Sequence, residues 1–196
     1  MPDKHYVIVV PGLGDRDKLV TLAVKHWKQY GIIPYVHLAP WKKKEVLSAK
    51  LERLVSLVDK LSKKGKVSLV GISAGGSMVL NAYAKRKARI KAVINICGRL
   101  KCGDHVFPSL NFAAKGNPAF RESVLFCDES RHVLKKSDRK KVMTLRAMYD
   151  EVVPPSTATL KGAINKRMPI IEHNAAIMFA LSMYKKEIIN FLHNRP

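Results

Sequence analysis

Short apolar runs alternate with amphipathic stretches along the whole chain. Residues 5–10, HYVIVV, have the pattern of a buried strand, and apolar side chains then recur at helical spacing over 19–27. Gly31 stands where that helix would end. The same alternation predicts further strands at 32–38, 66–70, 90–96, 141–148 and 167–171, and further helices at 47–61, 74–86 and 174–193.

Strands that alternate with helices predict an α/β fold, with a parallel sheet of about six strands and helices on both faces. The chain has 196 residues and no shift in composition, so we expect a single domain over residues 1–196. Sheets of this kind place their sites at the carboxyl ends of the strands. We therefore expect the residues of any active site to lie at those strand ends.

The composition is globular and strongly basic. Hydrophobic residues make up 47% of the chain, and 36 Lys and Arg against 15 Asp and Glu give a net charge of +21. The basic residues are scattered along the sequence, which favours a generally basic, solvated surface. Binding of nucleic acid or of an anionic membrane surface is the alternative, which this scatter does not favour.

The sequence predicts a cytoplasmic protein that needs no cofactor. No apolar run approaches the length of a membrane span, and the apolar run at the N-terminus is too short for a secretory signal. The three cysteines, Cys97, Cys102 and Cys127, fit no zinc pattern and no Cys-x-x-Cys pair. We expect them to be buried thiols, and we expect neither a metal nor an organic cofactor.

A glycine-flanked serine follows the strand predicted at 66–70. Gly71-Ile72-Ser73-Ala74-Gly75 fits Gly-x-Ser-x-Gly and opens a predicted helix, as a nucleophile elbow does. Glycine on both sides of Ser73 permits the tight turn, and the backbone N–H of Ala74 faces a developing oxyanion. The alternative is a glycine-rich turn that binds phosphate or only packs.

Two further strand ends carry the partners that a nucleophilic serine needs. His173 directly follows the strand predicted at 167–171, where it would act as the general base. Asp150 follows the strand predicted at 141–148, where a carboxylate would orient the imidazole, with Glu151 as the adjacent competitor. Because parallel strands end at one edge of the sheet, Ser73, Asp150 and His173 are expected to meet.

The chain resembles the α/β-hydrolase superfamily. The order Ser73, Asp150, His173 is the family's order, GISAGG resembles the elbow of its esterases and lipases, and YDEVVP resembles its acid loop. VVPGLGD, residues 9–15, resembles the oxyanion loop, which implies that the amide of Leu13 pairs with that of Ala74. The resemblance also implies a sheet that starts at the family's third strand and lacks the usual first two. Pro11-Gly12 in place of His-Gly, and Glu172 before the histidine, depart from the family pattern.

A long segment separates the fourth and fifth predicted strands. In hydrolases resembling this one, that position, here about 99–140, carries a small cap or lid. Four of the six phenylalanines fall within it: Phe107, Phe112, Phe120 and Phe126. These rings either form an apolar acyl pocket over Ser73 or pack a crossover helix onto the sheet, and the sequence leaves both open.

Together these features predict a serine hydrolase of the carboxylesterase type that cleaves small or short-chain acyl esters through an acyl-enzyme. The same triad also serves a thioesterase or an amidase, and the sequence does not separate these from an esterase. A third hypothesis, which follows from the charge, is a basic binding module for nucleic acid or anionic lipid on a hydrolase scaffold.

Overall fold

Six parallel strands form one sheet at the centre of the molecule. The computed structural model describes residues 4–14 and 17–195, and its strands lie side by side in the order β2-β1-β3-β4-β5-β6. The strands are β1 His5–Val10, β2 Ile32–Val36, β3 Lys66–Ile72, β4 Val93–Ile96, β5 Val142–Ala147 and β6 Ile164–Met168. The helices are α1 Asp17–Lys25, α2 Leu47–Ser62, α3 Gly75–Lys85, α4 Leu110–Ala113, α5 Pro118–Ser130, α6 Lys136–Arg139, α7 His173–Ser182 and α8 Lys185–His193.

Helices cover both faces of the sheet, as the sequence predicts. Alternate residues of β1 enter different cores: Ile8 and Val10 pack with α2, α3 and α5, whereas Val7 and Val9 pack with α1, α7 and α8. A strand whose side chains are buried on both faces shows an unbroken apolar run, which is the pattern of HYVIVV. The parallel α/β prediction is therefore confirmed.

Two predicted elements differ from the structure. The last strand is Ile164–Met168 and ends just before Pro169, so its prediction at 167–171 was wrong by several residues. Pro169 has no N–H for the ladder, and the edge position leaves alternate side chains of the strand exposed, which hides it in a hydrophobicity pattern. The helix predicted over 174–193 is two helices, α7 and α8, separated at Met183 and Tyr184.

The segment predicted as a cap includes a crossover helix. Helix α5 packs against α3 and α2 on one face of the sheet and buries its own residues Phe120, Val124 and Cys127 there. That part of 99–140 is scaffold, and a lid stays a prediction for the loop that precedes α5. Across residues 4–14 and 17–195, no helix has the length and apolar character required to cross a bilayer.

Candidate active site

Ser73 stands at a sharp turn between β3 and α3. Its φ of 51° lies in the left-handed region, which is strained for a residue with a side chain and typical of a nucleophile elbow. From Val67 to Tyr83 every residue is buried except Ser73, which is partly exposed. The local fold therefore presents one hydroxyl at the carboxyl edge of an otherwise buried strand and helix.

The glycines on either side of Ser73 allow backbone to pass close to backbone. A Cβ on Gly71 would lie 2.4 Å from the Gly75 carbonyl oxygen, and one on Gly75 would lie 2.1 Å from the Val10 carbonyl oxygen. Real Cβ atoms do not tolerate such contacts. The turn therefore requires glycine at both positions, as the elbow motif implies.

The structure brings Ser73, His173 and Asp150 together. The Ser73 hydroxyl lies 3.0 Å from Nε2 of His173, and Nδ1 of His173 lies 2.8 Å from Oδ2 of Asp150. An ionised carboxylate only accepts hydrogen bonds, so Nδ1 carries the proton and Nε2 is left to accept from Ser73. Asp150 and His173 are both buried, with exposed fractions of 5% and 4%. This is the geometry of a nucleophile, a base and an orienting acid.

Backbone amides hold the Asp150 carboxylate in place. Its Oδ1 accepts hydrogen bonds from the N–H groups of Val152 at 3.0 Å and Val153 at 2.7 Å. Both carboxylate oxygens are thereby occupied, since His173 Nδ1 lies within reach of each of them. The loop after β5 thus folds around its own carboxylate and fixes the direction in which it faces the imidazole.

Two glutamates fix the start of α7, where His173 lies, and the sequence pattern did not predict these roles. His173 is the first residue of α7, and its N–H donates to the Glu151 carboxylate at 3.1 Å. Glu172 is the N-cap residue, whose side chain accepts from Asn174 at 2.9 Å and from Ala175 at 2.5 Å. Helix N–H groups hold the pKa of Glu172 below its usual range. Glu151 therefore binds the base through its backbone, while Asp150 binds its ring.

The loop after β1 lies against Ser73. A Cβ on Gly12 would come within 2.9 Å of the Ser73 Cβ, and the indole Nε1 of Trp41 donates to the Pro11 carbonyl at 3.4 Å. Leu13 follows in a turn, and Ala74 opens α3, where the first N–H groups lack helical acceptors. The two amides expected to bind an oxyanion thus flank the nucleophile, and Asp15, the last residue of that motif, lies outside the described residues.

Cys97 borders the site but is not suited to act as a nucleophile. It is fully buried after β4, with a φ of 49°. Burial, and secondarily the nearby charge of Asp150, raise the pKa of its thiol to about 12. The group therefore stays protonated at neutral pH, and thiolate chemistry is disfavoured there. Within the described part of the chain, no group of three or more His, Cys, Asp or Glu side chains is placed to hold a metal ion.

An apolar cleft of about 310 Å³ opens onto Ser73 and His173. Its walls come from elements far apart in sequence: Leu19 and Val20 of α1, Val152 of the acid loop, and Ile177, Met178 and Leu181 of α7. Gly12 and Leu13 complete it beside the nucleophile. The cleft therefore lies between α1 and α7.

The four phenylalanines predicted as an acyl pocket do not line this cleft. Phe120 packs edge-on against Trp41 in the core, and Phe126 lies between α5 and α2. Phe107 and Phe112 are 83% and 64% exposed and contact each other. For Phe120 and Phe126 the structure agrees with the packing alternative, because α5 carries both rings onto the α2 and α3 face, whereas the cleft lies beside α1 and α7.

Comparison with known proteins reveals similarity in structure but not in sequence. No protein-family model matches the chain, and no curated protein matches it either. A solved structure from work on LipS and LipT, two metagenome-derived lipolytic enzymes, is 15% identical with a TM-score of 0.68, covering 96% of this chain and 91% of that one.

Two further structures are similar over nearly the whole chain. The monoacylglycerol lipase of Paleococcus ferrophilus is 14% identical with a TM-score of 0.64, covering 98% of this chain and 95% of its own. An α/β-hydrolase superfamily protein from Enterococcus faecalis is 14% identical with a TM-score of 0.66, covering 100% and 92%. At such identities the likeness establishes a shared fold and no more.

Proposed function

We propose that this chain, which has the α/β-hydrolase fold, is a serine hydrolase that cleaves carboxylic esters. The observation that carries the proposal is the continuous contact from Ser73 through His173 to Asp150, at 3.0 and 2.8 Å. A similar contact without an acid would leave the imidazole free to rotate and its charged form without a partner. The lipolytic enzymes among the structural neighbours agree with this proposal but do not carry it.

The proposed reaction follows from the placement of the three side chains. Ser73 attacks the acyl carbon while Nε2 of His173 takes its proton, and Asp150 stabilises the imidazolium. The amides of Leu13 and Ala74 bind the oxyanion of the tetrahedral intermediate. His173 then protonates the leaving alcohol to give the acyl-enzyme, and water repeats the sequence to release the acid.

The cleft indicates the acyl group. Its walls are aliphatic and its volume is about 310 Å³, near the lower end of the range of roughly 300–1,000 Å³ for ligand pockets. Among the described residues that line it there is no Asp, Glu, Lys or Arg, and such a lining favours a small hydrocarbon acyl chain over a charged or sugar-like one. We therefore expect p-nitrophenyl acetate and butyrate to be better substrates than esters of long-chain acids.

Hydrolysis of these esters by wild type and by Ser73→Ala tests the proposal. We expect wild-type turnover, and a loss of about 10⁴-fold or more in kcat for the variant, because the nucleophile is removed. Ser77→Ala is the matched control, since that hydroxyl is buried and bonds Ser123 at 2.8 Å. Turnover that survives in Ser73→Ala would exclude the mechanism.

The nature of the cleaved bond is tested with matched substrates. Butyrate presented as an oxygen ester, a thioester and an anilide varies the leaving group and keeps the acyl chain. We expect the oxygen ester to have the highest kcat/KM. A thioester preference of tenfold or more would place the protein among thioesterases with the same triad. Activity that rises steadily with acyl length to long-chain lipids would contradict the small cleft.

A further inference from the structure

We propose that the amino edge of the sheet is a second binding surface, which takes the phosphodiester backbone of a nucleic acid. Its core is the lysine row, which consists of Lys4, Lys66, Lys91 and Lys141. The proposal does not depend on the hydrolase activity, because the lysine row lies at the edge of the sheet opposite to Ser73.

Topology gathers these lysines, which are far apart in sequence. Lys66 begins β3, and the other three come one or two residues before β1, β4 and β5. These four strands are consecutive neighbours in the sheet. Lys66 N–H donates to the Lys4 carbonyl at 2.8 Å, Lys91 N–H donates to Val67, and Val93 N–H donates to the Lys141 carbonyl. With strands about 4.8 Å apart, the row extends over roughly 14 Å.

The side chains of the row are close enough to repel one another. Lys4 and Lys66 are exposed, and Lys91 and Lys141 are half-buried. Partial burial, and then the charges of Lys66 and Lys141, lower the pKa of Lys91. Burial, with His193, Lys91 and Lys66 as further causes, lowers the pKa of His5 to about 4. An anion bound along the row would relieve this repulsion.

Acidic groups on the elements that lead into these strands are already engaged. Asp59 of α2 accepts from Arg86 at 3.0 Å and from Arg89 at 2.8 Å. Asp138 of α6 lies 3.3 Å from the Lys87 ammonium. These pairs hold two carboxylates at this end of the molecule against cations that do not belong to the row.

The favourable interaction of basic residues with the negative ends of helix dipoles does not account for the whole lysine row. Basic residues in the last turn of a helix, such as Lys60 of α2 and Lys85 of α3, favour the negative end of the helix dipole. That effect is confined to about one turn. Lys66 comes four residues after α2 ends, and Lys4 precedes β1. Lys91 does have a contact of this kind, since its ammonium donates to the Arg195 carbonyl just beyond α8, but the helix dipole does not explain the positions of Lys4 and Lys66.

The shape and place of the row favour a linear polyanion over a membrane. Binding to a bilayer surface usually needs apolar side chains that insert beside the cations. Exposed apolar residues such as Val152, Ile171 and Met178 lie instead at the catalytic edge. Strand β3 has seven residues and places the two edges about 20 Å apart. A backbone bound on the row thus leaves the cleft open.

Fluorescence anisotropy with labelled 20-nucleotide oligo(U) RNA and oligo(dT) DNA at 25–150 mM salt tests this surface. Backbone contacts do not read the base, so we expect both to bind, with log K falling by about 2–3 per decade of salt for three or four phosphate contacts. Lys4→Gln/Lys66→Gln/Lys141→Gln should weaken binding at least tenfold and reduce that slope by about 2.

The matched control is a variant that removes three lysine charges at positions outside the lysine row. Lys42 and Lys44 are exposed in the loop that follows the carboxyl end of β2, and Lys115 is exposed between α4 and α5. Their triple Gln variant should change the Kd less than threefold. Equal weakening by both triples, or no binding at 25 mM salt, would overturn the proposal. Binding to vesicles with 30% phosphatidylserine but not to oligonucleotides would also overturn it, in favour of a membrane.

A second measurement needs no variant. Acetylation of wild-type protein followed by mass spectrometry compares lysine reactivity with and without the oligonucleotide. We expect protection at Lys4, Lys66 and Lys141 and none at Lys42, Lys44 or Lys115. Uniform or absent protection would contradict the lysine row even if the triple variant failed to fold. Hydrolysis by the triple variant should be unchanged, since no residue of the row contacts the cleft.

Discussion

A serine–histidine contact alone does not distinguish a catalytic pair from a structural one in this molecule. His5 Nε2 lies 2.9 Å from the Ser68 hydroxyl, which is about as close as His173 lies to Ser73. Ser68 is fully buried, and burial keeps His5 neutral at pH 7. What sets Ser73 apart is its exposure, its strained turn and the Asp150 carboxylate behind its histidine.

Two adjacent carboxylates hold the same histidine, which permits a sharp test of their roles. We expect Asp150→Asn to lower kcat by about 10⁴-fold, because the ring loses the partner that sets its tautomer and stabilises its charge. Glu151→Gln should lower kcat less than tenfold, because the amide oxygen still accepts from the His173 N–H. Steady-state kinetics on p-nitrophenyl butyrate measures both. A loss in Glu151→Gln as large as that in Asp150→Asn would mean that the acid has been assigned to the wrong residue.

The sequence was sufficient to select Ser73, Asp150 and His173, because each follows a predicted strand and parallel strands end at one edge. It was insufficient for Glu151 and Glu172. Glutamate is not a usual N-cap residue, so nothing in the pattern marks Glu172 as one. Which donor Glu151 meets depends on where α7 begins, and strand and helix patterns do not fix that to one residue.

At the scale of elements, the elbow depends on how closely α3 approaches β1. A Cβ on Gly75 would lie 2.1 Å from the Val10 carbonyl oxygen, and a backbone atom cannot move away without disturbing the fold. We expect Gly75→Ala to lower the free energy of unfolding by about 3 kcal/mol or more and to abolish hydrolysis.

Gly116 is the matched control for that variant. It has a φ of +77°, and a Cβ there would meet nothing within 4 Å, so Gly116→Ala should cost only about 1–2 kcal/mol, from the left-handed backbone. Urea denaturation of both variants measures the difference. A Gly75→Ala protein as stable as Gly116→Ala would contradict the close approach.

The hydrophobic pattern predicted which segments are helices and strands better than it predicted which of these elements pack against each other. Buried strands such as β1 are visible because both faces are apolar, whereas the edge strand β6 carries Asn165, Lys166 and Arg167 and is hidden by them. The break between α7 and α8 contains neither glycine nor proline. The cleft was missed because α1 and α7 form it together from opposite ends of the chain, and periodicity does not show which helices meet.

At the scale of the whole molecule, the basic residues are distributed differently along the sequence and in the folded structure. The basic residues are scattered along the chain, which favours a generally basic surface. The strand order places four of the lysines side by side at one edge, while the nucleophile and its partners lie at the other. One sheet thus separates a candidate polyanion surface from a candidate catalytic cleft.

Covalent labelling of Ser73 tests the central claim most directly. A fluorophosphonate reacts with a serine activated by a base, and tryptic peptide 67–85 contains Ser68, Ser73 and Ser77, so two buried serines serve as internal controls. We expect one adduct per chain, assigned by fragmentation to Ser73, and none in His173→Ala. An adduct on another residue, or a folded wild-type protein that stays unlabelled, would contradict the proposed nucleophile.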